Sequence, residues 1–124
     1  MVARIVVIDD EAEMLKTISG ILEKSGHEIV CFAVARDGLD SLKAAPVALL
    51  ITDIMMPDMD GIAVVREMGR DHPTIPVIAM TGGGRIKSGE LLRYAKLLGA
   101  EDVLSKPFRP EDLTDAVEKA LRGR

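Results

Sequence analysis

Five short strand-like runs, near positions 3–8, 28–33, 47–52, 76–80 and 102–105, alternate with five stretches of helical periodicity. This alternation restricts the folds open to the chain more than any other feature. Runs of Val, Ile and Leu without polar alternation read as strands buried on both faces, and such strands need helices to cover them. In the first helical stretch Met14, Leu15, Ile18, Ile21 and Leu22 form one stripe, and Gly26 supplies a stop. A short helix is expected near 37–44, with Leu39 and Leu42. A third, at about 62–71, carries Ile62, Val65 and Met68, and a fourth, at about 88–98, carries Leu91, Leu92, Ala95 and Leu98. The last opens on Pro110, Glu111 and Asp112, a favourable first turn, and repeats Leu113, Ala116, Val117, Ala120 and Leu121. Strands and helices in this order imply an α/β fold, a doubly wound parallel sheet with right-handed crossovers. No linker, repeat or low-complexity tract interrupts it, so residues 1–124 are expected to form a single domain.

Carboxylates close two of the strands. Asp9 and Asp10 end the run Ile5-Val6-Val7-Ile8, and Asp53 ends Leu49-Leu50-Ile51-Thr52. With strand order 2-1-3-4-5 the chain changes direction between strands one and three, and ligands of open sheets bind at that point, beyond the carboxyl ends of the strands. Like carboxylates brought together repel, and the cost persists only where a cation or a chemical task offsets it. A divalent-metal site with one carboxylate left to react is expected. On their own, Asp9, Asp10 and Glu11 would also suit a helix N-terminus.

Composition narrows the partners. Hydrophobic residues make up 48% of the chain but aromatics only 2%, so the core must be aliphatic. The net charge of -4 argues against direct nucleic-acid binding, which needs a basic face. Cys31, the single cysteine, cannot form an internal disulfide and reads as a buried, inert thiol. No stretch is apolar enough for membrane insertion and no signal-peptide layout opens the chain, so a cytoplasmic location is expected. His27 and His72 fall in loop-like stretches without ligand partners and read as solvated.

Four motifs then stand in register: IVVIDDE at 5–11, LLITDIMMPDMDG at 49–61, VIAMTG at 77–82 and LSKPF at 104–108. Together they resemble a bacterial two-component response-regulator receiver domain of the CheY-like single-domain type, over about residues 3–121. The resemblance implies a flavodoxin-like (βα)5 fold with strand order 2-1-3-4-5 and no effector domain on this chain. It makes Asp53 the phosphoacceptor, attacking a phosphohistidine on a partner. Asp10, Asp53 and the backbone carbonyl of Met55 would hold Mg²⁺, with Asp9 acting mostly through a bound water. Thr81 would hydrogen-bond one phosphoryl oxygen and Lys106 would pair with another, its direction set by a cis Lys106-Pro107 bond. The implied partners are a sensor histidine kinase or phosphotransfer protein and a downstream protein target, and the family is compatible with a phosphorylation-dependent dimer. The implied chemistry is limited to the protein's own phosphotransfer and dephosphorylation.

Elementary chemistry agrees with these roles. Phosphoryl transfer is catalysed mainly by positioning and by cations on the phosphoryl oxygens. Mg²⁺ takes hard oxygen ligands, and a lysine adds charge without competing for the metal. The sequence departs from common family usage at Val103, where an aromatic residue often stands, and at Gly82, where alanine is frequent. The Gly82-Gly83-Gly84 segment is therefore expected to carry the switch in place of an aromatic side chain. Two strings imitate other sites. GGGRIKS at 82–88 is similar to a phosphate loop, but Ile86 replaces the glycine needed before Lys87. DMDG at 58–61 is similar to calcium-loop and phosphatase motifs, with Met56 where the loop needs an acid and Pro57 in place of a preceding strand. A constitutive interaction module and a metal-dependent phosphatase are the competing function classes.

Overall fold

The computed structural model describes residues 2–54, 61–82, 88–97 and 99–123. In chain order the elements are β1 (Arg4–Ile8), α1 (Ala12–Glu23), β2 (Glu28–Phe32), α2 (Ala35–Ser41), β3 (Leu49–Asp53), α3 (Gly61–Asp71), β4 (Val77–Gly82), α4 (Ser88–Leu97), β5 (Asp102–Lys106) and α5 (Pro110–Arg122). The strands are all parallel and lie in the order β2-β1-β3-β4-β5. The expected α/β class and strand order are both present. β1 stands between β2 and β3, so the crossovers run in opposite directions from its two sides.

The alternation of side chains divides the core in two. Val6, Ile8, Leu50 and Ala79 face the layer that holds Leu39, Val64, Val65 and Met68, from α2 and α3. Ile5, Val7, Ile51, Ile78 and Met80 face Ile18, Leu22, Leu113 and Val117, from α1 and α5. β3 is buried along its whole length, whereas the edge strands β2 and β5 are mostly half-buried. That contrast explains why the central runs are unbroken Val, Ile and Leu while the edges admit Glu28, Asp102 and Ser105. None of the described helices is long and apolar enough to cross a membrane.

Three local expectations need adjustment. α2 begins at Ala35 rather than near 37 and buries Ala35, Gly38 and Leu39; Gly38 packs against Ile8, where a Cβ would stand 2.6 Å from the isoleucine side chain. Leu42, Lys43 and Ala44, expected within the helix, continue it only as successive turns bonded to Leu39, Asp40 and Ser41. His27 is not solvated. It is 8% exposed, its Nδ1 accepts the Ala3 N–H at 3.2 Å, and its Nε2 lies 3.2 Å from Glu118 on α5. An N–H can only donate, so Nδ1 is the acceptor and Nε2 carries the proton toward Glu118. His72 is half-buried. Cys31 is half-buried rather than fully enclosed, and burial pushes its thiol pKa up, in keeping with an inert thiol.

Gly20 lies on the exposed side of α1, and a Cβ built there meets nothing within 4 Å. Nothing in the packing requires glycine, so Gly20→Ala should stabilise the protein by roughly 0.5–1 kcal/mol through helix propensity alone. Urea denaturation measures this directly. A lower midpoint in the variant would show that the helix face is not free.

Candidate functional site

Register brings the carboxylates together. Ile8 pairs with Thr52, so Asp9 and Asp53, each one residue further on, emerge side by side at the carboxyl edge. Asp9 is wholly buried, Asp53 is 3% exposed, and Asp10 is exposed at the rim. One carboxylate oxygen from each of Asp9, Asp10 and Asp53 lies within 4.8 Å of the other two. Such a set of hard oxygen donors fits a divalent cation of the Mg²⁺ or Ca²⁺ kind and offers nothing to a soft metal.

The other two predicted side chains arrive on β4 and β5, both of which extend beyond the expected ends. β4 runs on to Gly82 and β5 to Lys106, and Gly82 and Lys106 are register partners. Thr81 is 1% exposed and lies one residue past Met80, the partner of Asp53. Its hydroxyl donates to the Gly82 carbonyl at 3.3 Å. Lys106 crosses to the carboxylates, its Nζ donating at 2.8 Å to Asp9 Oδ2 and at 2.8 Å to Asp53 Oδ2. The Lys106-Pro107 peptide is cis. Met55 lies outside the described residues, as do Gly83 and Gly84 and most of the 58–61 and 82–88 strings.

Charge is distributed unevenly in this cluster. Burial pulls the Lys106 pKa down, but the bonds to Asp53 and Asp9 outweigh it and hold the ammonium above its ordinary value. Burial pushes Asp9 up, and the bonds from Lys106 and the Glu11 N–H offset only part of that. The two directions are compatible. Lysine is the firmly charged partner, whereas the fully enclosed aspartate bears the desolvation cost and the repulsion of Asp53.

All the expected site residues that the structure describes, Asp9, Asp10, Asp53, Thr81 and Lys106, therefore meet at one sheet edge. Asp9 accepts from Lys106 and from the Glu11 N–H, at 2.8 and 2.9 Å. Two contributors were not foreseen. Glu11, expected only to favour a helix start, places Oε1 3.2 Å from Lys106 Nζ. Gly61, given no role of its own within the 49–61 motif, lets α3 begin against the backbone that carries Asp53. A Cβ there would fall 2.1 Å from Ile54 Cα and 2.3 Å from the Asp53 carbonyl oxygen. Val103 is half-buried and packs on the α2–α3 side of the sheet.

Known proteins resemble the chain along nearly its full length. FixJ, a transcriptional regulatory protein of Bradyrhizobium diazoefficiens, is 35% identical over 118 residues, which cover 95% of this chain and 56% of FixJ. The response regulator receiver protein CpdR of Brucella abortus is 33% identical over 121 residues, covering 95% of this chain and 96% of CpdR. Among solved structures, a response regulator receiver domain protein from Clostridium thermocellum superposes with a TM-score of 0.89 at 31% identity, covering 98% of this chain and 96% of that one. The chain spans about half the length of several curated relatives, FixJ among them. Residues 5–118 match the response regulator receiver domain, and the chain belongs to that family.

Proposed function

We propose that the protein is a phosphoacceptor of a histidine-to-aspartate phosphorelay, taking a phosphoryl group on Asp53 and changing its affinity for a protein partner. The observation that carries this reading is Lys106, whose ammonium is bonded to two buried carboxylates at the edge of the sheet. A buried lysine there supplies a fixed positive charge where phosphoryl oxygens would come to rest. Asp53 is the candidate nucleophile, because it ends β3 beside both Lys106 and the strand carrying Thr81. The Thr81 hydroxyl, now on its neighbour's carbonyl, needs only a side-chain rotation to donate elsewhere. Asp9, Asp10 and Asp53 would hold Mg²⁺, together with the Met55 carbonyl that the resemblance implies. The ion's contribution when bound is to neutralise charge on the transferring phosphoryl group. A sensor kinase or phosphotransfer protein supplies the phosphoryl group in this reading, and the chain's own chemistry is confined to phosphotransfer and dephosphorylation.

Incubation with a radiolabelled small phosphodonor and Mg²⁺ separates the function classes. Stable acid-labile label supports a phosphoacceptor. No label would indicate a constitutive interaction module, and continuous release of free phosphate would indicate a phosphatase.

Mg²⁺ should stabilise the protein, since the folded cluster binds it and the dispersed carboxylates of the unfolded chain do not. At tenfold excess over the dissociation constant the gain is about 1.4 kcal/mol. Asp10→Ala should remove most of it while leaving the buried pair Asp9–Lys106 in place. Equal rises in melting temperature for wild type and variant would place the metal elsewhere.

A further inference from the structure

Among the described residues, three carboxylates reach Lys106 Nζ. Asp9 Oδ2 and Asp53 Oδ2 lie at 2.8 Å, and Glu11 Oε1 lies at 3.2 Å. The first two are buried, whereas the Glu11 side chain is 64% exposed. The Glu11 backbone is nevertheless fixed. Its N–H donates to Asp9 Oδ1 at 2.9 Å, and its carbonyl accepts the Leu15 N–H at 3.1 Å as α1 begins. Glu11 thus offers an exposed carboxylate on an anchored stem.

The cluster contains a conflict. A cation entering among Asp9, Asp10 and Asp53 meets an ammonium already bonded to two of them. Like charges repel, so the ammonium must leave at least one of its buried partners. A charged group withdrawn from its acceptors without a new one bears a large desolvation cost. Glu11, already bonded at 3.2 Å, is the acceptor left on the solvent side, where the ammonium can settle more fully. We infer that Glu11 is a positioning residue that receives the Lys106 ammonium as a divalent cation enters the pocket, and so sets how readily the pocket loads. The inference rests on the reading of Asp9, Asp10 and Asp53 as a Mg²⁺ site.

Two substitutions separate reach from charge. Glu11→Asp keeps the charge but shortens the side chain by one methylene, and Glu11→Gln keeps the length but loses the charge. Isothermal titration with Mg²⁺ on the whole chain should show both variants binding more weakly, by roughly two- to fivefold, the strength of an exposed ion pair. In a Lys106→Met background Glu11→Asp should change nothing, because the group it serves is gone. Binding by Glu11→Asp equal to wild type would overturn the inference, as would equal weakening in both backgrounds. If Lys106→Met does not fold, the native background still decides, since an effect of charge alone weakens Glu11→Gln and spares Glu11→Asp. Absence of Mg²⁺ binding by the wild type would instead overturn the metal reading itself, and this inference with it.

Discussion

Asp53→Asn should abolish phosphoryl uptake outright. The label expected on the wild type is acid-labile and sensitive to hydroxylamine, as an acyl phosphate must be, and the amide of asparagine is no nucleophile. The fold should survive. The substituted amide would still offer an oxygen to Lys106, and the repulsion of Asp53, which adds a little to the burial that pushes Asp9 upward, is removed. Stability in metal-free buffer should therefore not fall. Labelling with a small phosphodonor, paired with a urea melt, checks both halves. Full incorporation in the variant, at some other residue, would overturn Asp53 as acceptor.

Gly61→Ala should be strongly destabilising. The added Cβ would stand 2.1 Å from Ile54 Cα, 2.3 Å from the Asp53 oxygen and 2.8 Å from the Ile54 carbonyl carbon. All three are backbone atoms and cannot rotate away. Alanine gains up to about 1 kcal/mol in helix propensity, but overpacking against fixed atoms costs about 3 kcal/mol or more, so the clash wins. The same exchange at Gly20, facing open solvent, carries the opposite sign. Relief of the clash must move α3 or the end of β3, so phosphoryl uptake at Asp53 should fall along with the urea midpoint. A change within about 0.5 kcal/mol, typical of surface sites, would show that the close approach is not required.

These residues show what could be read in advance. Asp9, Asp10 and Asp53 were legible because each follows an apolar run, and where a strand ends is a local property of the sequence. Thr81 and Lys106 were legible only through motifs in register, since nothing in a single threonine or lysine marks it. His27 was misread because its burial depends on α5, whose Glu118 lies 91 positions away. The Glu11–Lys106 contact spans 95 positions and requires β1 and β5 to stand on the same sheet edge. The close approach of Gly38 to Ile8 of a neighbouring strand is likewise something that periodicity within the helix cannot register.

The crowding of carboxylates around Lys106 also bears on encounter. Asp9, Asp10, Glu11 and Asp53 gather about a single ammonium. A phosphoryl donor is itself an anion, so the resting rim repels what it is meant to receive. A field of one sign slows approach of like charge just as it hastens the opposite. Salt, which retards attractive encounters by screening, should here quicken the approach of a small donor to the metal-free protein. Uptake of a divalent cation would cancel most of that negative charge without reversing its sign, and the dependence on salt should weaken with it. On the Mg²⁺ reading, collision frequency, and not only chemistry, would be conditional on the ion.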